Sequence, residues 1–168
     1  MSIIPIRIYP DQILLNSDNG EVFLEDDYLP QLLEDLNDTL DASPGVALAA
    51  PQIGYSKKAI IVDVTRDKKK ENQIGHGRIV LFNPNIIQAD SPKRIREGCL
   101  SVPDFTGNVI RYDHIIISGL LPNGNEESIE TSGFEAIAFQ HEVDHLMGTI
   151  FLDRVRSTRR DLFPRKIN

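Results

Sequence analysis

The stretch QHEVDHLMG, residues 140–148, constrains the fold more than any other part of the chain. His141 and His145 stand four apart. On an α-helix those positions lie one above the other on one face, so both imidazoles can reach one metal ion. The flanks support the helix. Ser132 and Glu135 have capping-box spacing, Gly133 is the expected first residue, and Gly148 is placed to end the helix after about Met147. Glu142 projects about 100° round the helix from His141, which puts it beside the ion rather than on it. A fold built on this segment must bury the histidine face and bring a third ligand from elsewhere.

That ligand decides the chemistry. Two protease completions of HExxH fail: Phe151 stands where HExxHxxGxxH requires its last histidine, and no glutamate follows Glu142. His76, His114, an aspartate and Cys99 remain. His76 lies in a polar loop between glycines, where a solvated or satisfied histidine is the ordinary reading. His114 opens an apolar strand and fits an edge residue equally well. Cys99 lies in EGCLSVP, in a tight turn where Gly98 lets the backbone approach closely. A lone cysteine is more often an inert small hydrophobe, but this placement favours Cys99 as ligand. Two imidazoles and a thiolate leave a fourth position open, as in a catalytic site.

Along the rest of the chain, EDDYLPQLLEDLNDTLDAS (25–43) has leucines at helical spacing, acids in its first turn and Ser43-Pro44-Gly45 to stop it. AIIVDV (59–64) is predicted as a buried strand and 65–77 as a loop before RIVLFNP. Short extended pieces broken by Pro and Gly follow, the last being HIIISGLL and ESIET joined by PNGN, a hairpin-type turn. Strands followed by a helix carrying the histidines predict an α+β fold, with antiparallel or mixed sheets packed around that helix and an N-terminal helix besides. At 168 residues the expectation is one catalytic domain, 1–168.

Composition excludes several classes. No apolar run approaches the ~20 residues of a membrane span, and no secretory signal is legible at the start. One cysteine rules out an internal disulfide framework and fits a reducing cytoplasm. A net charge of −7 argues against reading nucleic acid directly. The tail 154–168 differs: Arg154, Arg156, Arg159, Arg160, Arg165 and Lys166 face one acid, Asp161. It reads first as a solvated end and second as a contact for an anionic partner.

Three stretches in register, GVALAAPQIG (45–54), EGCLSVP (97–103) and QHEVDHLMG (140–148), resemble the signature motifs of the peptide deformylases, and IRIYPD resembles that family's start. The resemblance implies hydrolysis of the formyl group from the N-terminal formylmethionine of nascent polypeptides. It implies Cys99, His141 and His145 as ligands of one divalent metal per chain, ferrous iron, with zinc, nickel or cobalt able to occupy the site. Metal-bound water would attack the formyl carbon with Glu142 as general base and acid, while Gln52 and the backbone N–H of Leu100 face the formyl oxygen. Phe134, Ile137 and Ala138 share the face of His141 and, with Val46, wall a methionine pocket or simply pack the core. The peptide is expected along Gly45, Val46, Ala47, Glu97 and Gly98, added as a strand near Gly45 and Leu100. In some relatives the tail contacts the ribosome, and the basic cluster offers the same here. The competing readings are a zinc endopeptidase and a deformylase-like module that binds metal with little or no turnover.

The chain departs from the family at two places. Ala47 stands where a second glycine is usual, which would cost roughly 1 kcal/mol if that position needs positive φ. Thr106 stands where many bacterial relatives carry an arginine. Neither change removes a ligand or the general base.

Overall fold

The computed structural model describes residues 3–69 and 75–165; residues 70–74 of the expected loop, and Lys166 of the basic tail, lie outside them. The first helix, α1 (Leu29–Ala42), starts at the first leucine of its pattern, four residues after Glu25. Pro30 sits in its first turn, where a fixed φ and a missing N–H cost nothing. The acids ahead of it make a turn instead: Asp26 accepts from Phe23 N–H and the Tyr28 hydroxyl, each at 2.8 Å. Leu29, Leu32, Leu36 and Leu40 are buried against Leu48, Ile53, Ile61 and Phe82. Each such leucine contributes about 1.5–3 kcal/mol by leaving water.

The described strands form one antiparallel sheet, ordered β1 (Ala47–Ala49), β2 (Ala59–Val62), β3 (Ile79–Cys99), β4 (Val102–Leu120), β5 (Glu126–Ser132), with β6 (Leu162–Pro164) added to β4. The α+β expectation holds, and every strand pairing is antiparallel rather than mixed. Strand β2 is fully buried as expected, but ends at Val62, with Asp63 and Val64 leading into a 3₁₀ turn. The "short pieces" are corrected to two long strands. β3 and β4 run as one hairpin from Phe82↔Leu120 to Cys99↔Val102. Pro84 falls at a register shift between Phe82 and Asn85, and Asn83 and Ser91 take positive φ (51° and 60°), so irregular positions absorb what would break a regular strand. The PNGN turn forms as expected, Leu121 N–H donating to Asn125 O at 2.8 Å with Gly124 at φ 94°.

Helix α2 (Gly133–Leu146) packs across β1, β2, β4 and β5 and is buried on almost every side. It begins where expected, after Ser132, but the capping box does not form: the Ser132 side chain makes no cap bond. Glu135, fully buried, instead accepts from His76 N–H at 2.7 Å and Thr131 Oγ at 2.8 Å. The other end closes on Gly148, at φ 72°, where a side chain would strike the backbone of Leu15 and Asn16. Asn19 Nδ2 donates to Leu146 O at 2.8 Å, fixing α2 to the N-terminal segment.

Beyond α2, the one-turn helices α3 (Phe151–Arg154) and α4 (Thr158–Asp161) lead into β6. The tail is therefore laid against β4 through Arg165, while Arg156, Arg159, Arg160 and Arg165 are exposed, as the solvated reading expects. β6 pairs with Phe105–Gly107 of β4, and Arg154 is bound to Asp144 at 2.5 and 2.8 Å. No helix among the described residues is long and apolar enough to cross a membrane.

Candidate metal centre and cleft

His141 and His145 stack along one face of α2, ring centroids 5.0 Å apart. Cys99 reaches them from the end of β3, where the register slips between Gly98 and Cys99 as the chain turns. Its Sγ lies 3.4 Å from His145 Nε2, and the three ligand atoms all lie within 4.8 Å of one another. Of the alternatives, His76 Nδ1 is held by Glu135 at 2.5 Å, and half-buried His114 sits between Asp90 (3.2 Å) and Glu130 (2.8 Å). Among the described residues, Cys99 completes the cluster.

The donor set suits a divalent metal. Burial depresses His145 well below the ordinary histidine range, helped by its neighbour His141, so its imidazole is the neutral form that ligates. For His141, burial works against charge, yet Glu97 and the Cys99 sulfur outweigh it and push the ring well upward. The Glu97 carboxylate calls for positive charge at this point, which a metal supplies in place of a proton. His141 Nδ1 donates to Glu97 Oε1, which leaves Nε2 for an ion. Ser101 N–H points at the Cys99 sulfur, 3.4 Å away.

Behind the ligands lies a buried lattice that the sequence reading missed. Arg111 holds Glu97 with two nearly parallel bonds, Nε–Oε2 at 2.9 Å and NH2–Oε1 at 2.6 Å, and reaches Asp144 at 2.7 Å. Glu97, expected along the peptide, does line the cleft, but both its carboxylate oxygens are committed to Arg111 and His141. Gln140 ties α2 to β4 by accepting from Tyr112 N–H (2.9 Å) and donating to Tyr112 O (2.7 Å). A signal for Arg111 was present. Val109, Ile115 and Ile117 alternate toward the core, and Arg111 falls on the same face. A charge in that position needs a buried partner.

Glu142 is 3 % exposed, and its Oε2 has no hydrogen-bond partner among the described residues. Burial pushes its pKa up to about 7, with His141 opposing. Gln52 is held in place: its Oε1 accepts from Ala49 N–H at 2.9 Å, and Nε2 donates to Ser101 Oγ at 3.1 Å while facing the Cys99 sulfur at 3.8 Å.

These groups open into a cleft of about 720 Å³. Gly45, Val46 and Ala47 form one wall, Gly98 and Leu100 the other, and Phe134, Ile137 and Ala138 the floor beside His141. The floor also packs the core: Ala138 belongs to the central core, and Phe134 and Val46 pack against it. At Gly45 a Cβ would come within 2.9 Å of Leu100 Cδ1, so glycine lets the walls meet. Ala47 pairs with Val62 as regular strand, and among the described residues only Asn83 and Ser91 are non-glycines at positive φ. Its position therefore needs a small side chain, not a left-handed backbone. Thr106 pairs with Gly98 on β3 and with Phe163 on β6, which brings Arg165 to the cleft.

The comparisons agree with this geometry. A family model described as polypeptide deformylase matches residues 3–161. A peptide deformylase of Syntrophobacter fumaroxidans is 39% identical over 99% of this chain and 94% of its own, and one of Thermodesulfovibrio yellowstonii 37% over 99% and 97%. Among solved structures, a Legionella pneumophila peptide deformylase superposes with TM-score 0.83 at 34% identity, over 94% of this chain and 89% of that one. A class I type b peptide deformylase of Acinetobacter baumannii, with Met-Ala-Ser bound, gives 0.84 at 32%, over 92% and 100%. With the Cys99, His141 and His145 cluster that could hold a metal ion, the buried acid in the same cleft and the match over nearly the whole length, the chain belongs to the polypeptide deformylase family, a family of metallohydrolases.

Proposed function

We propose that this chain removes the formyl group from N-formylmethionyl nascent polypeptides, releasing formate, with ferrous iron held by Cys99, His141 and His145 and with zinc, nickel or cobalt able to substitute. The observation that carries the reading is Glu142: a buried carboxylate with an unpartnered oxygen, in the same cleft as three converging ligand atoms. When bound, the metal supplies Lewis-acid polarisation and a nucleophile at neutral pH.

The chain's own residues carry the remaining steps. Hydrolysis adds the oxygen of water to the formyl carbon and breaks the C–N bond. Glu142 Oε2 takes the proton of the attacking water and returns it to the departing amine. A pKa near neutrality suits a group that must both accept and give that proton. Gln52 Nε2 gives one hydrogen to Ser101 and turns the other toward the Cys99 sulfur in a long 3.8 Å contact; that second hydrogen moves to the formyl oxygen and, with Leu100 N–H, holds it as charge develops. Phe134, Ile137, Ala138 and Val46 take the methionine side chain. The peptide runs on past Gly45, Ala47 and Gly98 by strand addition. The Acinetobacter baumannii enzyme solved with Met-Ala-Ser supports a peptide of this class in the cleft. Because the substrates are nascent chains, we assign the protein to the cytoplasm. The exposed Arg156, Arg159 and Arg160 are the part of the tail available to a ribosome.

The test is formate release from formyl-Met-Ala-Ser by protein loaded anaerobically with ferrous iron, the acetylated peptide serving as control. Formate from the formyl peptide alone is the expected result. Folded, metal-loaded protein that releases none would leave a binding module without turnover.

A further inference from the structure

Arg165 is a cation at the cleft that the reaction above does not use. It arrives there by construction. Strand β6 pairs along Phe105–Gly107, Arg165 N–H donates to Asp104 O at 2.8 Å, and the guanidinium then passes over Gly98. Its Cζ lies 3.6 Å from where a Cβ on residue 98 would be, and a terminal nitrogen lies closer still, so this approach requires glycine at 98. The other charges of the cleft are taken. Arg96 stacks on Phe163 at 3.6 Å, Lys93 pairs with Asp113 at 2.5 Å, and Glu97 is bound to Arg111. Glu142 faces the ligands. Among the described residues, Arg165 has no carboxylate within ion-pair distance.

The backbone beside it is open as well. β2 pairs with β3 only over Ile79–Phe82, so the other edge of β3 at Gly98 carries no strand among the described residues. A peptide added there would place the side chain opposite Gly98 on the face that Gly98 shares with Arg165, because directly opposed residues of paired strands share a face. Residues next along the strand point the other way, toward the Cys99 side.

We infer that Arg165 is a specificity-determining residue that binds a carboxylate side chain one or two positions after the formylmethionine, so that the enzyme favours nascent chains beginning formyl-Met-Asp, formyl-Met-Glu or the same acids one residue later. This rests on the deformylase reading of the cleft. Arginine is suited to the task, since its planar fork matches a carboxylate with two bonds.

The experiment compares formyl-Met-Asp-Ala-amide and formyl-Met-Ala-Asp-amide with their Asn counterparts, in the metal-loaded wild type, Arg165→Gln and Arg165→Glu. Equilibrium binding of the corresponding deformylated amides is measured alongside turnover. The wild type should favour Asp over Asn at one of the two positions about three- to tenfold, in KM and in binding, and the preference should shrink with salt. It should fall to unity in Arg165→Gln and turn toward Lys peptides in Arg165→Glu. A wild-type ratio of one, or a preference that survives in Arg165→Gln, overturns the assignment. Absence of formate from every peptide counts against the deformylase reading alone, because the binding ratios still decide the role of Arg165. Absence of binding overturns the assignment too.

Discussion

Replacing Arg111 by methionine tests whether the buried lattice, and not the ligand helix alone, holds the metal centre in shape. The Arg111 side chain is 2 % exposed and bridges Glu97 and Asp144. Asp144 keeps Arg154, at 2.5 and 2.8 Å, after the change. The acid left less compensated is therefore Glu97, whose side chain is 6 % exposed and which keeps only its bond from His141. Removing one partner of a buried pair costs about 3–5 kcal/mol, and at this chain length each kcal/mol lowers Tm by about 2–4 °C. Thermal unfolding at fixed excess zinc should then show Tm falling by about 6–20 °C. Adding Glu97→Gln should restore most of it, because the amide still accepts from His141 Nδ1 but carries no charge. The effect should also depend on pH. Burial raises the Glu97 pKa, but His141 and Arg111 outweigh it and bring it down from 4.5 to about 2. A depressed carboxylate stabilises the fold above its unfolded value and loses that contribution as pH falls through its folded one. In the metal-free proteins, the gap between wild type and Arg111→Met should narrow between pH 4.5 and 2. A Tm loss below about 2 °C, or a double variant no more stable than the single, would refute the reasoning.

Glu142→Gln should keep its metal, by elemental analysis, while formate release falls about 10²- to 10⁴-fold; in the metal-free protein, the infrared carboxyl band that titrates near pH 7 should vanish with it. Gln52→Glu keeps the acceptor for Ala49 N–H but removes the amide donor, so kcat should drop about 10²-fold or more with KM little changed. Ala47→Gly should leave kcat/KM within about twofold, since the strand there is regular, and lower stability by about 0.5–1 kcal/mol in denaturant unfolding. A large gain in rate would mean that the alanine does distort the cleft.

Local information was enough for the parts of this protein that local forces build. The leucine repeat of α1, the i, i+4 histidines of α2, its stop at Gly148 and the turn at residues 122–125 each follow from spacing within a few residues, and each is present. Errors arose where a distant group competed for the same atoms. Glu135 has the right spacing to cap its own helix, but His76, 59 positions away, and Thr131 hold its carboxylate. The prolines of 84–103 read as breaks because a single strand cannot show where its partner's bulges fall; once β4 is in register they sit in continuous β3 and β4.

The site divides the same way. The sequence by itself determined that His141 and His145 share one face with Glu142 beside them, because one helical turn sets their relation, and three motifs in register determined the family. Cys99 lies 42 residues before His141 in the chain, and only the β3–β4 hairpin packed against α2 brings its sulfur to 3.4 Å from His145. The partners of Arg111 and the path of β6 that lays Arg165 over Gly98 were likewise decided by tertiary structure. Contacts of this kind are fixed by strand register and by the need to pair a buried charge, and neither is written in the spacing of neighbouring residues.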